Sequence, residues 1–208
     1  PALPRSDPAD PSRLFPPLPP LWFIKFPGSG AKPRSTIHQK APPMHLFAAT
    51  VPTLKRLTKA VPRLIGRLET EAPLSTRLAP DSFTAGEHFC CALGFVARTV
   101  LPLVGRDVPE LPFDNDPGLI VALAEDMTFV LDSVSLKDFD DAAHREITHN
   151  AGEATLTQNG QDYALLFAIP NAQFHLALGY ATLRHAGADL GKADLDGFHL
   201  YTSAPTHH

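Results

Sequence analysis

Proline divides the chain into two parts that cannot share one kind of structure. Of the 22 prolines among 208 residues, 12 fall within residues 1–43. Proline lacks a backbone N–H and blocks helix interiors, and the run over residues 15–20 favours polyproline II. We expect residues 1–43 to be a disordered tail, or an upstream stretch wrongly included ahead of Met44. The alternative is a recruitment tail for a domain with an aromatic groove.

Charge follows the same division. Residues 1–43 hold 6 basic and 2 acidic residues, and the remaining chain holds 12 and 20, for a net charge of −4. Because no global basic field attracts phosphates, nucleic acid is not an expected partner. No apolar run reaches the length of a membrane span, so no membrane is expected either. Cys90 and Cys91 are adjacent and cannot build a disulfide framework, which predicts a reduced, cytoplasmic protein.

Two helices are predicted after residue 44, the first from apolar residues spaced three and four apart. The first is expected over residues 45–72, with a kink or break at Pro62. Asp81 is expected to begin the second helix as its N-cap or as a first-turn carboxylate. That helix ends near Gly105. Arg77 and Asp81 are expected to form a structural salt bridge, and the alternative is a clamp for a substrate.

Two more helices and a hairpin complete the predicted architecture. Asp116 before Pro117 predicts a third helix over 117–134, and the last is expected over 161–185, with Pro170 inside and Gly187 ending it. The core stripe of the last helix is expected to consist of Leu165, Ile169, Ala172, Leu176 and Leu183.

The predicted fold is all-α. A β-hairpin with strands at 147–149 and 154–157 is expected before the last helix. Four long helices and one small hairpin are most economically arranged as an antiparallel four-helix bundle over residues 44–198. Residues 199–208 are expected to form a C-terminal tail.

Histidines on two of these helices are the main candidates for chemistry. Asn171 and His175 share one face of the last helix, and His88 lies among apolar residues of the second helix, so its side chain should point inward. Neutral imidazoles on facing helices can bind zinc or nickel, although an amide is a poor ligand. The candidate metal ligands are therefore His88, His175 and Asn171. The alternative is a buried histidine satisfied by a neighbouring Asn or Tyr.

Other polar and aromatic residues of the last helix extend this candidate site. Tyr163, Asn171 and Phe174 are the expected ligand contacts, and His175 and Tyr180 are the expected catalytic residues. Cys90 and Cys91 are flanked by phenylalanine and leucine, so we expect inert core thiols rather than nucleophiles.

Several segments resemble motifs of a helical domain family of unknown function. Residues 77–83, R-L-A-P-D-S-F, resemble its R-L-A-P-D-M-F segment, and residues 145–148 resemble its R-E-I-T strand. The segments I-P-N-A-Q-F-H at 169–175 and Y-A-T-L-R-H-A-G at 180–187 resemble its L-P-N-F-Y-F-H and A-Y-x-I-L-R-H-x-G block. That family is similar to the DinB/YfiT-like superfamily of four-helix bundles, many of which are regarded as metalloenzymes.

The resemblance implies an altered metal site. The superfamily takes one histidine from the second helix and two, spaced H-x-x-x-H, from the last. His88 and His175 match two of these positions, and Asn171 replaces the third. At the position of His88, the family of unknown function tends to have glutamine. This implies a metal-dependent hydrolase or transferase of small molecules. The alternative is a metal-free bundle that binds a small apolar ligand or a protein partner. Because such bundles often pair, a homodimer is also expected.

Overall fold

A computed structural model describes residues 45–200, and the predictions for residues 1–43 and most of the C-terminal tail lie outside this range. Five helices and one hairpin follow one another, with short 3₁₀ turns at Ala72–Ser75 and Leu136–Phe139. The elements are α1 (Leu46–Ile65), α2 (Ala85–Leu103), α3 (Pro117–Asp132), β1 (Glu146–Ala151), β2 (Ala154–Asn159), α4 (Gly160–Asp162, Tyr163–Ala168 and Ile169–His185 in unbroken succession) and α5 (Lys192–Asp196).

The first helix is shorter than its apolar pattern predicts. It runs through Pro62 without a break and ends at Ile65, with Gly66 as its C-cap. Pro62 lies so close to this end that its missing N–H removes only one internal hydrogen bond near the terminus. The predicted extension to residue 72 was wrong, because turns and the 3₁₀ segment follow instead.

The second helix begins at Ala85, with Thr84 as its N-cap in place of the predicted Asp81, and the reason is a capping box. Thr84 Oγ1 accepts a hydrogen bond from the Glu87 N–H, and the Glu87 carboxylate accepts one from the Thr84 N–H at 2.7 Å. This reciprocal pair satisfies two free donors at the helix start. Asp81 is therefore not the cap. The predicted pair with Arg77 is also wrong, because the Arg77 guanidinium lies 3.1 Å from Glu87.

The last helix changes its winding ahead of Pro170. Tyr163–Ala168 is π-helical, and the Ile169 N–H donates to the carbonyl of Ala164, five residues back. A proline ring would clash with the carbonyl four residues before it, and a wider turn relieves such crowding. The wider turn also rotates the residues before it. Leu165, predicted in the core stripe, is consequently 38% exposed, whereas Ile169, Ala172 and Leu183 are buried.

The hydrophobic core lies among α1, α2, α3 and α4, and the hairpin closes one side. At Gly179 the helices α2 and α4 approach so closely that an added Cβ would lie 2.6 Å from the Phe89 ring. The hairpin is antiparallel, with Ile147 opposite Gln158, and Ile147 is buried against the core. The predicted bundle with one small hairpin is confirmed. Among residues 45–200, the helices are too short or too polar to cross a bilayer.

Candidate functional site

The two predicted histidines meet between the second and last helices. His88 on α2 is 3% exposed, and its Nδ1 lies 3.0 Å from the Nδ1 of His175 on α4. Because one nitrogen must donate and the other accept, the two rings share a single proton along this contact. The Nε2 of His88 lies 3.3 Å from the Ser82 hydroxyl. The inward direction predicted for His88 is confirmed.

Both imidazoles are held in the neutral form. Burial lowers the pKa of His88, although the nearby Glu87 carboxylate acts in the opposite direction. Burial, together with the neighbouring charges of His88 and Arg98, lowers the pKa of His175 to about 4. At neutral pH the pair therefore offers hydrogen-bonding nitrogens rather than a positive charge.

Phenylalanine rings surround His175. Phe83 and Phe95 stack on its imidazole with centroids at 6.0 Å, and Phe174 meets it edge-on at 5.2 Å. Phe83 also contacts Phe113. Of these rings, Phe95 is buried, whereas Phe83, Phe113 and Phe174 are about half exposed. The predicted contact residue Phe174 thus lies at the surface beside His175.

The remaining predicted residues of the last helix do not join the two imidazoles. The Asn171 amide donates to the Phe167 carbonyl of its own helix at 2.7 Å. Tyr180 is half-buried against the core, five residues beyond His175 and so on a different face of the helix. Within residues 45–200, neither side chain makes a hydrogen bond or ring contact with His88 or His175.

The donor set does not fit the three-histidine site implied by the resemblance. Two imidazoles are present, but the third position holds Asn171, whose amide nitrogen is bound to a main-chain carbonyl. Across the described part of the chain, His, Cys, Asp and Glu form no group of three that could hold a metal ion. Structural and catalytic zinc sites in proteins use three or four such side chains.

Next to the pair, a cavity of about 530 Å³ opens between α2, the π-helical part of α4, β1 and the segment 108–111. We call it the hairpin cavity. Its volume lies in the range of small-molecule sites. A cavity between α1 and α4 has only about 170 Å³. The hairpin cavity is lined by Phe95, Arg98, Pro102, Val108, Pro109, Glu110, Leu111, Ile147, Thr148, His149, Asn150, Tyr163 and Phe167.

Three packed rings form one wall of the hairpin cavity. The His149 ring lies 4.2 Å from that of Phe167 and 4.8 Å from that of Tyr163. The Tyr163 hydroxyl donates to the Arg98 carbonyl at 2.6 Å, and burial raises the pKa of Tyr163 to about 12. His149 Nε2 contacts the Gln158 side chain, whereas its Nδ1 is buried with no partner in the described residues. The predicted contact residue Tyr163 therefore lines the cavity.

The histidine pair and the hairpin cavity share the ring of Phe95. Phe95 stacks on His175 at 6.0 Å and makes an edge contact with Phe167 at 6.0 Å. Since Phe95 and Phe167 both line the cavity, the position of His175 supports the cavity wall.

The two cysteines do not supply a nucleophile. Burial raises the pKa of the Cys90 thiol, which also donates to the Asp114 carbonyl. Burial raises the pKa of Cys91 to about 11. A thiol must lose its proton to attack, so the raised pKa values disfavour reaction of both thiols at neutral pH, in line with the expectation of inert core thiols.

Sequence reasoning missed Phe95, Arg98 and His149. Phe95 lies seven residues after His88, two helical turns along the same face, so helical spacing could have identified it. His149 shares its strand face with the buried Ile147. Arg98 carried no recognisable signal, because its role depends on where the hairpin packs.

Comparison with known proteins agrees with this architecture. Residues 46–195 match the family described as Domain of unknown function (DUF1993). The fold is also similar to the crystal structure of a DinB family member protein from Shewanella denitrificans, with a TM-score of 0.67 over 76% of this chain and 96% of that chain. The two sequences are 23% identical, so this likeness concerns the fold alone. No curated protein matches the chain.

Proposed function

The chain belongs to the DUF1993 family and has a DinB-like fold, and we propose that it is a metal-free bundle that binds a small molecule in the hairpin cavity. The observation that carries the proposal is a cavity of about 530 Å³ walled by Phe95, Tyr163 and Phe167. Aromatic walls with a few polar groups are typical of sites for small organic ligands. The ligand's apolar or aromatic body would pack against these rings.

The pKa values of His175 and Tyr163 favour binding over catalysis. An effective general acid or base has a pKa near the working pH. Here the pKa of His175 is lowered to about 4, and that of Tyr163 is raised to about 12. Side chains in these states form hydrogen bonds well but transfer protons poorly at pH 7. The catalytic roles expected for His175 and Tyr180 stay predictions.

Indole, a neutral aromatic probe, tests the proposal directly. We expect saturable binding to the full chain by isothermal titration calorimetry. Val108→Trp should weaken it at least tenfold, because the larger ring occupies space in the hairpin cavity. The matched control is Val130→Trp, since Val130 is also half-buried but lies on α3 away from the cavity. Absence of indole binding, or equal loss in both variants, would contradict the proposal.

A metal-dependent hydrolase or transferase is the second candidate. It is favoured by the two imidazole nitrogens that face each other at 3.0 Å, and disfavoured by the lack of a third suitable ligand in the described residues. A homodimer and a cytoplasmic location, both expected from the sequence, stay predictions. The half-exposed rings of Phe83, Phe113 and Phe174 form one surface on which two copies could pair.

A further inference from the structure

Two opposite charges line the hairpin cavity without pairing. Arg98 comes from α2 and Glu110 from the segment before α3. Of the ion pairs formed among residues 45–200, none includes either side chain, and neither side-chain head group takes part in a hydrogen bond there. Both charged groups are therefore available to a third molecule.

Arg98 is positioned at the aromatic wall. Its guanidinium carbon lies 5.4 Å from the centroid of Phe95, a cation–π arrangement that restrains the side chain. Its charge also contributes to the lowered pKa of His175, which stacks on the same ring. A guanidinium presents parallel N–H donors that match a carboxylate.

Glu110 provides the complementary charge. It follows Pro109, which also lines the cavity, and precedes Leu111, whose side chain packs against the core. A carboxylate in this position would repel a simple anion. It would attract a molecule that carries an ammonium group in addition to the carboxylate that Arg98 binds.

We infer that the ligand of the hairpin cavity is a zwitterion with an apolar or aromatic body. Its carboxylate contacts Arg98, its ammonium group contacts Glu110, and its body packs against Phe95 and Phe167. α-Amino acids with large apolar side chains belong to this chemical class. The inference rests on the proposed function, because it assigns the charges of the molecule that the same cavity binds.

Four probes that share an indole ring separate the two charges. They are tryptophan, tryptamine without the carboxylate, indole-3-propionate without the ammonium group, and indole with neither. By calorimetry, we expect tryptophan to bind about fivefold more tightly than either singly charged probe, the effect of one partly exposed charge contact. Arg98→Gln should abolish the preference for tryptophan over tryptamine and leave the preference over indole-3-propionate. Glu110→Gln should abolish the preference for tryptophan over indole-3-propionate and leave the preference over tryptamine.

Exposed charges elsewhere supply the controls. Arg184→Gln on α4 and Glu125→Gln on α3 remove the same charges from sites outside the cavity, and both should leave the order of the probes unchanged. Four equal affinities would overturn the zwitterion inference but leave the proposed function standing, because indole still binds. If tryptophan still binds more tightly than the singly charged probes after Arg98→Gln and Glu110→Gln, these two residues do not contact the charges of the ligand. Failure of indole to bind would refute the proposed function itself.

Discussion

Acid should destabilise the protein through the buried imidazole of His175. Its pKa is about 4 in the folded chain, against 6.5 for an unperturbed histidine. Between these values the unfolded chain binds a proton that the folded chain does not, so stability falls as the pH decreases from 6.5 towards 4. Well above pH 6.5 the ring is neutral in both the folded and the unfolded chain, so no stability is lost. Below about pH 4 the loss of stability is complete.

The size of this effect follows from the pKa difference and the exposure of the ring. Unscreened, the difference corresponds to about 3 kcal/mol. Because His175 is only partly buried, solvent screening reduces the expected loss to about 1–2 kcal/mol. The pKa of His88 is lowered as well, so its contribution has the same sign.

Urea denaturation at pH 7.5, 6.5, 5.5 and 4.5 measures the loss. Carboxylates also titrate in this range, so the informative quantity is the stability of the wild type minus that of His175→Phe at each pH. We expect this difference to fall by about 1–2 kcal/mol between pH 7.5 and 4.5. His185→Phe, which removes an exposed imidazole at the end of α4, serves as the control. A difference that does not change with pH would refute a buried, neutral His175.

Three further predictions concern packing, metal and thiol chemistry. Gly179→Ala should destabilise the fold by about 1–3 kcal/mol, because its Cβ would lie 2.6 Å from the Phe89 ring. In the same denaturation assay Gly94→Ala should be neutral or stabilising, since its nearest neighbour is 3.6 Å away. Equimolar Zn²⁺ or Ni²⁺ added to metal-free protein should leave Tm unchanged, and a rise that His175→Ala abolishes would restore the metal hypothesis. Alkylation of Cys91 by iodoacetamide at pH 7.5 should be at least tenfold slower than that of free cysteine, because its pKa is about 11; an equal rate would contradict this.

Local sequence signals were sufficient for most of the architecture. The start of α3 at Pro117 and the stop at Gly187 reflect interactions within a few residues, and these predictions agree with the structure. The apolar spacing of α1 agrees with the structure as far as Ile65. The start of α2 was misplaced because Asp81 and Thr84 are both capping residue types. Only Thr84 has a glutamate three residues later, which is the signal that decides between them.

The candidate site was only partly accessible from the sequence. The meeting of His88 and His175 follows from two inward faces on neighbouring helices. By contrast, the bonding of Asn171 to Phe167 depends on the helix's own main chain, and the hairpin cavity depends on contacts between residues far apart in the chain. Periodicity within one element carries no information about such packing.

Binding in the hairpin cavity is tested most directly by NMR of the full chain with labelled isoleucine methyl groups. Ile147 lines the cavity, whereas Ile120 is fully buried on α3 and does not line it. With tryptophan bound, we predict intermolecular nuclear Overhauser effects from the indole protons to the Ile147 methyl groups and none to those of Ile120. Bound ligand that shows no such effect at Ile147, or shows it at Ile120 instead, would contradict the account.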